Sequence, residues 1–354
     1  MKKVLLKIAS LFYGAAIKLR HMLFDANILH SEHFDIPIIC VGNITVGGTG
    51  KTPIVEMLVD HYIDSYNIAV LSRGYGRTTK GYRVVKEDDN YRTVGDEPLQ
   101  IKRKFPNVEV VVCEKRAFAI HRIKEEFPEV NMIIMDDGFQ HRYVEPLVNI
   151  IVVDYNRPVE RDHLLPYGQL RDTTSSLYRA HYFVVTKCPE EMKPINMREK
   201  RMWLIEKASQ EMFFSRVQPA AACSVFAEVE DTVPHGASVI AMSGIGDNES
   251  FNRGLQQRYK VVDTIDFDDH HTYRMSDLKL ISQTLAKHPE AVIMTTEKDA
   301  VKLANSRAIP QELHRKMFYE KITVRFVGDS RAELFARIDN DIKNRGNGLY
   351  IRGL

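Results

Sequence analysis

A chain of 354 residues is long enough for two domains with full hydrophobic cores. Charged residues make up 27% of it and the formal net charge is only +2, which points away from disorder and from wholesale nucleic-acid binding. The four cysteines, Cys40, Cys113, Cys188 and Cys223, are far apart and form no Cys-x-x-Cys pair, so neither a zinc site nor a disulfide framework is indicated, and reduced cysteines in a cytoplasmic protein are expected.

Residues 1–24 place Val4, Leu5, Ile8, Leu11, Phe12, Leu19 and Met22 at helical spacing on one face, with Lys3, Lys7 and Lys18 near one another on another. Lys7 interrupts the apolar core that a signal peptide needs. No apolar run reaches the ~18 residues of a membrane-spanning helix. Two readings follow: a helix packed on the protein's own core, or a basic amphipathic helix at a membrane interface.

The apolar run Ile38-Ile39-Cys40-Val41 ends in a glycine-rich turn, and a helical pattern begins at Ile54. This is strand, loop, helix. Thr45, Val46, Gly47, Gly48, Thr49, Gly50, Lys51 and Thr52 form the candidate phosphate cradle. Glycines let the backbone N–H groups turn inward onto phosphate oxygens, and the next helix offers its N-terminus to the same anion. Lys51 would reach the β- and γ-phosphates, and the Thr52 hydroxyl would sit on Mg²⁺. The strict P-loop pattern has glycine where this chain has Thr45; Gly47 and Gly48 would supply the flexibility instead.

Beyond the loop, strands are expected at 67–72, 81–85, 108–112, 132–135, 149–153 and 181–185, with a helix at 117–127. Alternating strands and helices imply parallel βαβ units with a nucleotide at the carboxyl ends of the strands. A second block starts near residue 217, with strands at 238–242, 259–265, 291–294 and 322–326 and helices at 276–287 and 330–343. Residues 210–222 show no clear periodicity. The expected fold is α/β: a P-loop NTPase-like, mostly parallel sheet with helices on both faces, plus a second smaller α/β domain. The expected divisions are 1–30 for the amphipathic helix, 31–215 for the P-loop domain, and 216–354 for a smaller domain closing the active-site cleft.

Several further stretches carry chemistry. The apolar strand at 132–135 ends in Asp136-Asp137, where P-loop enzymes hold Mg²⁺; the plain alternative is a strand cap. Gly95-Asp96-Glu97-Pro98 puts two carboxylates before a helix that Asp96 could also merely cap. Arg73, Arg77, Arg116, Arg142 and Arg171 lie at strand ends or in loops, where they could gather around an anionic substrate. Asp268-Asp269-His270-His271 allows a metal site, and it suits a histidine acting as proton partner better. Thr186-Lys187-Cys188-Pro189 lacks the aspartate of the guanine-reading Asn-Lys-x-Asp, which favours ATP over GTP.

Together these motifs resemble one family, the tetraacyldisaccharide 4′-kinases, the lipid A 4′-kinases of Gram-negative bacteria. The stretches VGNITVGGTGKTP, SRGYGR, GDEP, DDGFQH, LPYGQLRD, DDHH and TTEKDAVK occur in the family's order over roughly residues 38–303. The family's own loop also tolerates threonine at the position of Thr45. One departure is Asp172, where many relatives carry glutamate. The resemblance implies ATP- and Mg²⁺-dependent transfer of a phosphoryl group to the 4′-hydroxyl of a tetraacyldisaccharide 1-phosphate in lipid A biosynthesis. It implies a peripheral enzyme on the cytoplasmic face of the inner membrane, and it favours the interfacial reading of the first helix. No nucleic acid and no obligate protein partner are inferred.

Roles follow on that reading. Lys51 and the loop amides hold the triphosphate; Thr52, Asp136 and Asp137 hold Mg²⁺. Asp96 is the candidate base for the sugar hydroxyl and His270 its partner, from loops of two domains meeting on one cleft. Arg73, Arg116, Gln140, His141 and Arg171 are candidates for the sugar and its phosphate. The competing readings are a membrane-associated P-loop ATPase acting as a switch or delivery factor without a sugar acceptor, and a soluble P-loop ligase.

Overall fold

The computed structural model describes residues 2–226, 228–229, 232–304 and 309–346; the outermost residues of the expected end ranges, 1 and 347–354, lie outside these. In chain order the strands are β1 (Ile38–Gly42), β2 (Ile68–Ser72), β3 (Arg83–Val84), β4 (Glu109–Val112), β5 (Met132–Asp136), β6 (Val148–Asp154), β7 (Tyr182–Thr186), β8 (Glu211–Ser224), β9 (Ser238–Ser243), β10 (Lys260–Asp266), β11 (Val292–Thr296) and β12 (Met317–Phe326).

The chain forms two compact units, each discontinuous in sequence. One gathers residues up to 73, 108–217 and those from 324 on; the other gathers 74–107 and 218–323. This differs from the contiguous division expected at 215/216. Residues 74–107 belong with the second unit because helix Asp96–Lys104 packs on helix Glu297–Ala304. The last helix, Ser330–Gly346, belongs with the first, where the Tyr62 hydroxyl donates to Asp339 at 2.9 Å.

In the first unit the strand order is β8-β7-β6-β1-β5-β2-β4, with parallel pairing throughout. β1, β2, β5, β6 and β7 are buried along their whole length. Strands covered on both faces read as unbroken apolar runs, which is why they were legible. β1 lies between β5 and β6, so its carboxyl end opens where ligands sit in such sheets. The second unit has parallel strands in the order β10-β9-β11-β12 over a core that includes Ile240, Met242, Ile281, Ile293 and Met317.

The stretch without periodicity is β8. Its first half is buried and its second half is largely exposed around Pro219, so it follows neither an alternating nor a continuous pattern.

The first helix spans Lys2–Asp25 and buries only Ser10, Gly14, His21 and Phe24. It docks on the first unit through polar contacts. Ser10 donates to the Leu164 carbonyl at 2.8 Å, and Tyr13 donates to the Arg171 carbonyl at 3.0 Å. His21 Nε2 lies 2.7 Å from Asp172 Oδ1. The apolar face is left outward: Leu5 is 62% exposed, Leu11 70%, Phe12 74% and Met22 65%. The reading in which that face packs on the protein's own core is therefore corrected. No helix among the described residues is long and apolar enough to cross a membrane.

Candidate active site

β1 delivers the chain to a loop fixed from several sides. Asn43 is fully buried and its Nδ2 donates to Thr49 Oγ1 at 2.8 Å. The Thr186 hydroxyl donates to the Thr49 carbonyl at 2.7 Å. Gly47 and Gly50 have φ of +87° and +88°, the left-handed region where a side chain is disfavoured. Thr45 takes no such conformation: it bridges Leu170 as an antiparallel pair, while Val46 N–H donates to the Gln169 carbonyl at 2.9 Å. LPYGQLRD is thus a side rail for the loop, and glycine is not needed at position 45. Helix Lys51–Tyr62 then starts directly on Lys51, with its first backbone N–H groups available to an anion.

Asp136 closes β5 and Asp137 follows with φ of +52°. Lys51 Nζ lies 3.4 Å from Asp137 Oδ1, and Arg171 grips both Asp137 oxygens, with Nη1 to Oδ2 at 2.7 Å. Burial would raise the Asp137 pKa, but Lys51 and Arg171 hold its carboxyl well below the usual carboxylate range. Asp136 is buried and accepts from the Ser72 hydroxyl at 3.0 Å. Among the described residues no group of three or more His, Cys, Asp or Glu could hold a metal alone. Mg²⁺ beside a nucleotide takes one or two carboxylates and completes its shell with phosphate and water. The hard oxygens of Thr52, Asp136 and Asp137 fit that role. The histidines at 270 and 271 fit none: His271 Nε2 is engaged with Asp277 at 2.9 Å, and His270 with Asp96.

The residues assigned to the sugar divide. Arg73 is exposed just past β2. Arg171 is committed to Asp137 and to Asn43 Oδ1. Arg116 is only 2% exposed and donates to the Cys113 carbonyl at 2.6 Å. Gln140 Nε2 donates to the Asn43 carbonyl at 2.8 Å, bracing the loop's start. The turn before it is pressed onto β1: a Cβ on Gly42 would lie 2.5 Å from that of Phe139. Asp172 is 1% exposed and bound by His21, Arg179 and its neighbouring amide, so this departure from the family pattern secures the first helix.

His141 Nε2 accepts from the Arg116 backbone N–H at 3.3 Å. Burial, then the charges of Arg116, Arg20 and Arg73, push its pKa down to about 4. The unfolded chain's imidazole takes a proton near pH ~6.5. Between those values acidification favours unfolding, because the unfolded state binds the proton first. Thermal melts of His141→Gln should therefore lose less stability from pH 6.5 to pH 4 than wild type; parallel curves would contradict this.

The second cluster lies wholly within the other unit. Gly95, with φ of +97°, turns the chain into helix Asp96–Lys104, leaving Asp96 6% exposed. His270 Nδ1 is 3.1 Å from Asp96 Oδ2 although the two are 174 residues apart in sequence. The expectation that they come from two domains is thereby corrected, because residues 74–107 pack with 218–323. Lys298 Nζ stands 3.3 Å from His270 Nε2, 3.2 Å from Glu97 Oε1 and 3.8 Å from Asp96 Oδ2. Lys302 lies 3.7 Å from Asp96 Oδ2 and 3.2 Å from Asp299 Oδ1. Burial alone would raise the Asp96 pKa, yet His270, Lys298 and Lys302 hold it well below the usual carboxylate range.

The chain matches, over residues 2–343, the family described as tetraacyldisaccharide-1-P 4′-kinase. The chain belongs to this family. It is similar to the tetraacyldisaccharide 4′-kinase of Porphyromonas gingivalis ATCC 33277, 38% identical over 349 residues, covering 96% of this chain and 97% of that one. The Bacteroides fragilis YCH46 enzyme of the same name is 40% identical over 309 residues, covering 83% and 81%. A crystal structure of LpxK from Aquifex aeolicus in complex with ATP superposes with a TM-score of 0.73 at 27% identity, covering 96% of this chain and 99% of that one. As a tetraacyldisaccharide-1-P 4′-kinase the chain is an ATP-dependent phosphotransferase, and the reading as a switch without acceptor is not favoured.

Sequence reasoning assigned no role to Lys298, Lys302 or Glu97. The signal was present in TTEKDAVK of this kinase: Lys298 and Lys302 are four apart, on one face of helix Glu297–Ala304.

Proposed function

We propose that the chain transfers the γ-phosphoryl group of ATP to the 4′-hydroxyl of a tetraacyldisaccharide 1-phosphate, working as a peripheral enzyme on the cytoplasmic face of the inner membrane. The observation that carries the chemistry is Lys51, set at a helix N-terminus and 3.4 Å from Asp137 in a braced glycine loop. Phosphoryl transfer needs positioning and charge neutralisation more than covalent catalysis. Lys51 and the amides of residues 45–52 hold the triphosphate. Thr52, Asp136 and Asp137 hold Mg²⁺, which when bound neutralises charge on the phosphates. Arg171 keeps Asp137 aimed, and Arg73 meets the anionic sugar. Arg116, Gln140 and His141 support that surface.

Asp96 is the base for the acceptor hydroxyl, held in line by His270. A carboxylate with so low a pKa is a weak base. In a loose transition state the hydroxyl proton leaves late, once the bond to phosphorus makes it acidic, and orientation matters more than basicity. Assay of ATP consumption with and without the lipid acceptor separates this from an acceptor-free ATPase. Consumption should depend on acceptor; equal rates would overturn the reading.

The first helix supports the membrane side of the proposal. Its exposed apolar face is flanked by the exposed Lys2, Lys3, Lys7 and Lys18, the pattern of a helix lying in a headgroup layer. Leu5→Glu with Phe12→Glu changes only that outward face. This variant should sediment less with anionic liposomes, and its apparent KM for lipid should rise more than that for ATP. Unchanged sedimentation would remove the helix from membrane binding.

A further inference from the structure

The loop after β6 brings an arginine onto the phosphate cradle. Asp154 closes β6, and a tight turn follows: the Arg157 N–H donates to the Asp154 carbonyl at 3.1 Å, and Asp154 Oδ1 accepts from the Asn156 N–H at 2.9 Å. Pro158 comes next, and the residue before a proline is kept out of the helical region, which ends the turn at Arg157. The side chain runs to the glycine loop of the same unit, where Nη1 stands 2.8 Å from the place a Cβ on Gly47 would take. Gly47 is thus needed twice, for its φ of +87° and for the room its missing side chain leaves the guanidinium. A Cβ on the neighbouring Gly48 would meet nothing within 4 Å, so the close approach is particular to Gly47.

The charge of this arginine is not spent on the turn. Asp154 is 3% exposed, and Lys187 Nζ holds its Oδ2 at 2.9 Å, whereas Arg157 Nε is 3.9 Å from the same oxygen, beyond hydrogen-bond reach. One carboxylate stands between two cations, and the closer cation takes most of it. A surplus positive charge therefore faces the loop, on a planar fork of donors that suits phosphate oxygens two at a time. We propose that Arg157 is a further catalytic residue of this kinase: its guanidinium binds the γ-phosphoryl group during transfer, an arginine supplied by the same chain. The proposal rests on the reading of residues 45–52 as the triphosphate cradle, and it names the cation that joins Lys51 on the group that moves. The loop amides and the helix N-terminus serve the α- and β-phosphates, and Lys51 spans the β- and γ-phosphates, so the terminal group is the one that gains most from a second cation. In the transfer the bond from the γ-phosphorus to the β–γ bridging oxygen breaks, and its electron pair leaves with ADP. The sugar oxygen makes the new bond and gives its proton to the base assigned above. Arg157 exchanges no proton; it only donates hydrogen bonds, to the equatorial oxygens over which the transition-state charge is spread.

The test uses the full chain. Arg157→Ala should lower kcat by about a hundredfold, the scale of one charge-stabilising donor, while its affinity for ADP by calorimetry stays near wild type. Arg157→Lys, which keeps the charge and loses the fork, should fall between the two. Guanidinium ion at a low, non-denaturing concentration should restore part of the rate to Arg157→Ala and none to Lys51→Ala, because it replaces a missing donor and does not repair a turn. Aluminium fluoride, which mimics the group in transfer, should tighten ADP binding to the wild type in the presence of Mg²⁺ and the lipid acceptor, and this gain should be lost in Arg157→Ala. Wild-type kcat in Arg157→Ala, an undiminished aluminium-fluoride gain, or a loss of ADP affinity as large as the loss of kcat would overturn the proposal alone, the last by placing the guanidinium on the inner phosphates or in the scaffold. A folded Lys51→Ala enzyme with full kcat would instead overturn the cradle reading beneath it.

Discussion

Replacing Lys51 by alanine should lower kcat by at least about 10²–10³-fold, the scale seen when one preorganised charge-stabilising donor is removed from an active site. Lys51 opens the helix that faces the phosphate cradle, and its charge is wanted most as negative charge builds on the transferring group. The fold should survive. The helix is held by Ile54, Val55, Leu58 and Val59, all fully buried, and Asp137 retains Arg171 as its cation. Turnover measured beside a circular-dichroism melt separates the two effects. Near-normal turnover in a folded Lys51→Ala protein would remove the phosphate-loop account.

Asp96→Asn and His270→Ala should each lower kcat by about 10²–10⁴-fold, the range of general acid–base contributions. The double variant should be no worse than the more impaired single, because residues acting as one unit do not give multiplicative losses. The 3.1 Å contact between the two side chains is the reason to treat them as a unit. Neither substitution strips its neighbours of partners: Lys302 keeps Asp299 and Lys298 keeps Glu97. ATP affinity by calorimetry should stay near wild type, since neither residue is assigned to the triphosphate. The Asp96 pKa is held down in the folded protein, so its ion pairs contribute stability that is full above the ordinary carboxylate range and is lost progressively as pH falls from that range through the lowered value. Assays at pH ~5 and above therefore compare variants with this network intact. Independent, multiplicative losses would separate the pair.

The parts of this molecule legible in sequence are those whose signal is local. β1, the glycine turn and helix Lys51–Tyr62 announce themselves because strand, turn and helix chemistry fall in one short stretch. The buried strands of the first unit read cleanly for the same reason. The division of the chain did not, because helix Asp96–Lys104 finds its packing partner in helix Glu297–Ala304, and no local pattern records a partner so distant. β8 was missed because its burial changes along its length. Arg116 and Gln140 carry the right chemistry for a sugar phosphate, yet their side chains are committed to backbone carbonyls. Asp172 carries no local signal of its role: its partners His21 and Arg179, which make it an anchor for the first helix, are distant or set by the fold. Composition and spacing name the residue types; only packing decides which of them are spent on the scaffold.

The most direct measurement is transfer of label from [γ-³²P]ATP to a tetraacyldisaccharide 1-phosphate in detergent, with the labelled position on the sugar determined, for the wild type and Lys51→Ala. Label at the 4′-position of the lipid with wild-type enzyme, and its loss in the variant, is the result this account predicts. Label released only as inorganic phosphate, or lipid labelled equally by both proteins, would contradict it.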